Sequence, residues 1–420
     1  MEFVFSKRAK ILFSVLMIIG VIAMIVGFMN DHSNHHGRFW ANILTNGFFF
    51  FAISLGGLFF LALQYATEAS YMVVLKRIIE SITQYIFVGA TVLIIFFIAA
   101  SAHWNHIYHW MDNAVYHEYV MESTIGTDHP EYVDEMVEGA IDNEHYDKII
   151  DGKSAYLNLP FFWIRTLLYL GVWCFFAYFF RKRSLMEDEI GGTKIHLKNM
   201  GYAAIFLVFF AFTSSTAAWD WIMSIDTHWF STLFGWYVFS GIWVSFMIFL
   251  VLFTIWLRGR GFVPFVNDSH IHDIGKWMFA ISFLWTYLWF SQFMLIWYSD
   301  IPEEVTYYVQ RITEYKGLFF GIFFTNFVFP MVILMSRDAK RTIGYLIFVG
   351  VVIFFGHWLD VYMMIFPGGV GGELHIGFME IGMFLGFLGL FLYTVFNSLS
   401  KAPILVKNHP FLEESKHLHI

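Results

Sequence analysis

The chain has 420 residues, of which 58% are hydrophobic and only 14% charged, with a net charge of −8 and a mean hydropathy of +0.61. A soluble domain carries about 25% charged residues, so a water-facing globular fold is excluded, although the length alone would suit two or three such domains. The single cysteine, Cys174, excludes an internal disulfide and a cysteine-ligated iron–sulfur cluster within this chain.

Crossing a ~30 Å hydrocarbon layer takes ~20 apolar residues, and helices suit the task because each satisfies its own backbone hydrogen bonds. Ten runs qualify, at 10–29, 39–65, 81–103, 159–182, 199–220, 231–257, 271–299, 314–335, 341–366 and 375–397. The expected fold is an all-α integral membrane protein of ten transmembrane helices, with helices 2–5 and 6–9 as two four-helix bundles and helices 1 and 10 flanking them. Residues 1–38 form an N-terminal anchor and outer loop, 39–183 the first helical region, 184–340 a linker and second helical region, and 341–420 the last two helices and a tail. The first run follows Lys7, Arg8 and Lys10 as a secretion signal would. Its length and the lack of a small-x-small cleavage site mark it as a retained anchor.

Placing the N-terminus inside brings Lys76 and Arg77, then Arg181, Lys182 and Arg183, then Arg258 and Arg260, then Arg337, Lys340 and Arg341 to one side. With the two ends and Lys194, Lys198 and Lys276, 19 of the 25 basic residues lie inside. Only Arg38, Lys148, Lys153, Arg165, Arg311 and Lys316 lie outside. This asymmetry predicts a multi-pass membrane protein with both termini in the cytoplasm.

Between the third and fourth runs, the outer loop 104–158 holds 12 acidic residues and 2 lysines, a net of −10. Pro130 to Asp147 is expected to form an acidic amphipathic helix with Val133, Val137 and Ile141 on one side. Such a loop is either a solvated cap or a docking surface for a basic partner such as cytochrome c. The segment from Phe39-Trp40 to Arg181-Lys182-Arg183 and that from Trp229-Phe230 to Lys340-Arg341 share one plan of charges and apolar runs, as parallel repeats do.

Ionisable groups inside membrane helices are costly, so each is a functional candidate. Towards the outer side these are Arg165, Asp220, His357, Asp360 and Glu380, with Gln292 nearby. His357 and Asp360 are three residues apart and share a helical face, where an imidazole and a carboxylate can exchange protons near neutral pH. The alternative for each is an interhelical hydrogen-bond staple. The inner set, Gln64, Glu68, Gln84 and Lys276, sits near headgroup depth and suits snorkelling. Ser214, Ser215, Thr216 and Asn326 could bridge the halves through water. Of 18 histidines, nearly all lie in loops and only His357 is well within a helix, so a haem held by paired buried histidines is not expected. No Cys-x-x-Cys-His motif is present for covalent haem.

The most specific stretch runs from Trp219 through Asp220, Trp221, Asp226, His228 and Trp229 to Tyr237. It reads as a short outer turn with headgroup-level aromatics and Ser231 or a neighbour capping the next helix. Together with Gly356-His357-Trp358-Leu359-Asp360, the ten helices and the acidic loop, this run resembles the smaller NrfD-like subunit of bacterial alternative complex III, related to the membrane subunit of polysulfide reductase. The resemblance extends over essentially the whole chain. It implies a quinol:cytochrome c, or quinol:terminal oxidase, oxidoreductase in which this subunit holds no redox metal of its own. The implied partners are a second NrfD-like subunit, a periplasmic iron–sulfur subunit, haem c subunits and a cytochrome c oxidase, with no role for nucleic acid.

Menaquinol and structural lipids are the expected small molecules, with nothing bound covalently. His357, Asp360, Glu380 and Asp220 are the expected proton-transfer residues; His228, Arg165, Trp219 and Trp221 are the expected quinone neighbours. No catalytic residue or metal ligand is assigned. A secondary transporter is the rival reading, but transporters of this size carry helix breaks at matching positions in both halves. Here Pro330 in helix 8 is matched in helix 4 only by Pro160 at its end, and Pro367 to Gly372 reads as a loop. A scaffold without its own chemistry is the third reading.

Overall fold

The computed structural model describes residues 3–125, 127, 130–372 and 374–419. Ten helices among them are long and apolar enough to cross a membrane. In chain order they are α1 (Lys7–Asn30), α2 (Gly37–Ala66), α3 (Val73–Ser101), α4 (Leu159–Ile190), α5 (Thr193–Ile225), α6 (Leu233–Gly259), α7 (Asp268–Ser299), α8 (Lys316–Leu334), α9 (Ile343–Gly369) and α10 (Phe378–Leu399). The chain is thus an all-α membrane protein, and the end bearing the acidic loop is called the outer end below. Several helices outrun their expected limits because polar turns extend them beyond the apolar window. Only Gly191 and Gly192 separate α4 from α5, and both have positive φ (70° and 81°), a conformation glycine adopts without strain.

α2 and α6 form the centre. Their apolar windows are 89% and 78% buried, against 22% for α1, which therefore flanks the bundle. α2 packs on α3, α5 and α9; α6 packs on α7, α9 and α5; α2 and α6 also touch each other. Exchanging α2 with α6, α3 with α7, α4 with α8 and α5 with α9 carries each of these contacts, and those of α3–α4 and α4–α5, into another observed contact. α10 breaks the exchange by packing on α1, α2 and α3. α1 lies so close to α10 that a Cβ at Gly20 would fall 2.4 Å from the Gly386 Cα.

Two spans are irregular. α3 loses its regular helix at Gln84 and Tyr85. α8 widens into a π-helical turn at Phe324–Val328, just before Pro330. Proline supplies no N–H to the carbonyl four residues back, here that of Asn326, and a wide turn absorbs the mismatch. The expectation of a loop from Pro367 is corrected: Pro367, Gly368 and Gly369 complete the last turn of α9. The carbonyl that Pro367 leaves free belongs to Met363, and it accepts a hydrogen bond from Arg311 Nε at 3.3 Å. Arg311 lies on a short amphipathic helix, Pro302–Glu314, that precedes α8.

The acidic loop also differs from expectation. Pro130 to Asp147 contains no amphipathic helix; β2 (Tyr132–Val133) and β3 (Ala140–Asp142) flank β1 (Tyr119–Met121) in a three-stranded antiparallel sheet. Val120 pairs with both Tyr132 and Ile141. Aromatic and β-branched residues favour strands, and Gly139, with φ 85°, turns the chain between β2 and β3. Ser231 does not cap α6 through its side chain either, since α6 starts after Thr232 without a side-chain cap.

Candidate functional site

His357 and Asp360 lie one turn apart in the middle of α9, 1% and 2% exposed. Asp360 is fixed on two sides. The Tyr237 hydroxyl of α6 donates to its Oδ1, and the Trp285 indole of α7 donates to its Oδ2 at 3.0 Å. His357 is fixed only by packing, with the Trp285 ring edge-on at 5.2 Å. Its Nδ1 is 3.9 Å from Asp360 Oδ2, too far for a direct hydrogen bond, and both ring nitrogens lack a partner among the described residues. Asn326, in the wide turn of α8, is fully buried and likewise leaves its amide without a partner. It abuts Gly356, where a Cβ would fall 2.0 Å from the Asn326 oxygen, so only glycine fits beside it. A cavity of about 10 Å³ touches His357, Asp360 and Ser245, room for about one water.

From Asp360 outward, α9 carries a ladder of polar contacts. Arg311 donates to the Met363 and Met364 carbonyls and, at 2.9 Å, to Asp226. Gln310 donates to the Pro367 carbonyl at 2.7 Å. Trp229 stacks on Tyr307 at 3.8 Å, and Tyr307 covers the Arg311 guanidinium. The ladder from His357 to Gly368 spans ~17 Å at 1.5 Å per residue. It ends in an open outer cavity of about 380 Å³ lined by Asp226, His228, Asp147, His109 and His145. His228 meets Asp147 at 2.5 Å there. Burial raises the Asp147 carboxyl, but the His228 contact and the Ile150 and Ile149 amides outweigh it and leave its pKa lowered.

The remaining expected residues fall in separate clusters. Asp220 pairs with Arg165 through two hydrogen bonds of 2.8 and 2.9 Å, with both side chains buried. The third guanidinium nitrogen donates to the Tyr156 carbonyl at 3.1 Å, and the Tyr156 and Phe161 rings lie within 4.1 Å of the guanidinium carbon. Trp221 is buried and donates to Thr166 at 3.1 Å, while Trp219 is half-buried with its N–H unpartnered among the described residues. Arg165 and Trp221 thus direct their described hydrogen bonds to groups of the protein itself. Glu380, placed by sequence beside His357 and Asp360, instead takes a fork of two 2.7 Å bonds from Arg38 and one of 2.9 Å from Asn42. It ties α10 to α2 and touches neither His357 nor Asp360 through any described bond.

Three of the six basic residues on the outer side are therefore committed to carboxylates: Arg38 to Glu380, Arg165 to Asp220 and Arg311 to Asp226. Sequence reasoning named Arg165, Asp220 and Glu380 singly but found none of these pairs, and it assigned no role to Tyr237 or Trp285. The signal was present in the outside arginines themselves, which break an otherwise uniform charge rule. At the inner end, Gln64 borders a small cavity with Tyr65 and Lys76, and Lys276 pairs with Asp273 at 2.5 Å. Lys76, Arg77 and Arg181 form a buried network with Glu187, Glu80 and Asp188 that sequence did not single out. Ser214 is buried, Ser215 and Thr216 are less so, and Gln292 is 3% exposed. Comparison of the chain with protein-family models and with curated proteins finds no match.

Proposed function

We propose that this chain is an NrfD-like membrane subunit of a quinol-oxidising respiratory complex of the alternative complex III kind, and that it contributes a transmembrane proton path. The supporting observation is the buried His357, both of whose ring nitrogens lack a partner among the described residues, beside an Asp360 held by two donors and a space for about one water. An orphaned buried polar group costs about 1–3 kcal/mol, and a mobile water or a transferred proton gives the group a use. In this path His357 takes a proton on one ring nitrogen and passes it to Asp360, directly after a small ring movement or through the intervening water. Tyr237 and Trp285 hold the Asp360 carboxyl aimed between shuttle steps. In this reading the proton then passes to Asp226 and the outer cavity, where His228 and Asp147 receive it, while Arg311 stays charged and holds Asp226 in place.

Menaquinol is the electron donor that the resemblance supplies, and its oxidation belongs in this reading to a neighbouring NrfD-like subunit. The partner set is completed by periplasmic iron–sulfur and haem c subunits and by a cytochrome c oxidase, in a bacterial inner membrane with both termini cytoplasmic. The test is quinol:cytochrome c turnover and proton release of the purified assembly, wild type against His357→Ala and Asp360→Asn. A loss of turnover or release of roughly a hundredfold or more, with the assembly intact, supports the reading, at the scale of a lost proton-transfer group. Unchanged turnover together with unchanged proton release would falsify it and leave a scaffold. Transport is favoured only by the wide turn in α8. Its counterpart α4 is continuous, and the other irregular span is α3, so the breaks do not match between halves.

A further inference from the structure

The largest cavity described, about 650 Å³, opens at the inner end between α3, α4 and α10. Its wall carries Arg181 and Lys182 from α4, Lys401 just past α10, and the amides of Gln84 and Asn397, with Glu189 as its acid. Arg181 is built in: it donates at 3.2 Å to Glu80 and at 3.2 Å to the Ser398 carbonyl, bridging α4 to α3 and α10. Lys182 and Lys401 are exposed at the cavity. Gln84 faces it from the point where α3 loses its regular helix, so the irregularity opens the space that the cations line.

Above this basic cup the surface is apolar. Phe87, Ile95 and Ile98 of α3 are exposed, as are Phe175 and Tyr178 of α4, and Tyr178 also lines the cavity. A cationic cup at the inner end, joined to an apolar strip along two membrane helices, matches an anionic head group on an acyl chain. We infer that this cleft binds an anionic phospholipid, its phosphate between Lys182 and Lys401 and an acyl chain along the exposed strip of α3. A basic hollow between membrane helices on the cytoplasmic side recognises lipid phosphates by charge and hydrogen bonding. Free phosphate shares the head-group chemistry but has nothing to lay on Phe87 and Ile95. The inference needs only that the helices span a membrane and is independent of the proton path.

The experiment is thermal unfolding of the delipidated protein in neutral detergent, titrated with phosphatidylglycerol, phosphatidylcholine or inorganic phosphate. Wild type is compared with Lys182→Gln/Lys401→Gln, which leaves Arg181 and its structural bonds in place. Phosphatidylglycerol is expected to raise the wild-type midpoint, with phosphatidylcholine and inorganic phosphate ineffective. The double variant is expected to need roughly thirtyfold more phosphatidylglycerol, each lysine contributing about fivefold. Because both lysines are exposed, the lipid-free midpoint of the variant should equal that of wild type, which checks the fold. An equal response to phosphatidylcholine, a full response to inorganic phosphate alone, or an unchanged phosphatidylglycerol titration in the variant overturns the inference.

Discussion

At the scale of single residues, the arginine–carboxylate pairs show what the membrane demands of charge. Arg165 and Asp220 are both buried and each satisfies the other. Removing one partner strands a charge in a low-dielectric site, at a cost of about 3–5 kcal/mol, whereas replacing both with apolar groups of similar volume is far milder. Asp220→Ala should therefore lower the unfolding midpoint sharply, and Arg165→Met/Asp220→Leu should recover most of it. A double variant as unstable as the single one would show that the pair does more than neutralise itself. These two residues were legible in sequence because each interrupts an apolar run. Their pairing was not, since 55 positions separate them and only the packing of α4 on α5 brings them together. The contacts of Tyr237 and Trp285 with Asp360 escaped notice for another reason: aromatics are abundant in this chain, and although Tyr237 closes the most specific stretch, nothing in sequence ties either ring to Asp360.

Among the elements, the apolar helices were the most readable because span length is set by the bilayer, while the outer loop was misread. Val133, Val137 and Ile141 fit a helical face, yet Gly139 at positive φ and the strand-forming Tyr132, Val133 and Ile141 favour the sheet. Where two elements meet closely, the sequence carries small residues, and the contact can be tested. A side chain at Gly20 has no room against Gly386. Gly20→Leu should push α1 off α10, lowering the unfolding midpoint by an amount equivalent to about 1–3 kcal/mol, while Gly201→Leu, with open space around it, should not. Equal effects at both sites would mean that α1 is held elsewhere.

The C-terminal tail is a second element whose docking can be followed, here by pH. Its His409 is buried beside His196, Glu187 and Lys76. Burial, with Lys76 and His196 adding to it, pushes the His409 pKa from 6.5 down to about 2. The detached tail would titrate near 6.5 and so takes up a proton that the docked tail refuses. Docking is then fully stable above pH 6.5 and weakens steadily as pH falls below it. Limited proteolysis of the tail should be slow at pH 7.5 and faster at pH 5.5 in wild type, and His409→Gln should reduce that dependence, leaving the part carried by His196 and His270, which also face the tail. A tail equally protected at both pH values would argue against it.

For the molecule as a whole, two asymmetries are superposed on a fold whose halves pack alike. The exchange of α2–α5 with α6–α9 preserves the main contacts, so the two halves lie side by side in the same sense, and all loops of a given parity fall at one end. Charge then distinguishes the ends: the loop 104–158 holds 12 acids and 2 lysines, while the opposite end gathers Arg181, Lys182, Arg183 and the tail lysines. Basic loops resist crossing the membrane during insertion, which predicts that the acidic loop lies outside. The orientation can be read directly in a Cys174→Ser background, which removes the chain's one native thiol. Glu135→Cys, exposed between β2 and β3, should react with a membrane-impermeant maleimide on intact cells. Lys407→Cys, exposed in the tail, should react only after permeabilisation. The reverse pattern would invert the molecule and move the outer cavity of His228 and Asp147 to the cytoplasmic face. A proton leaving by way of Asp360 and Asp226 would then be delivered inside. A path that releases protons to the outer face therefore requires the labelling to fall in the first pattern, and the sidedness experiment constrains the chemistry as strongly as any substitution within α9.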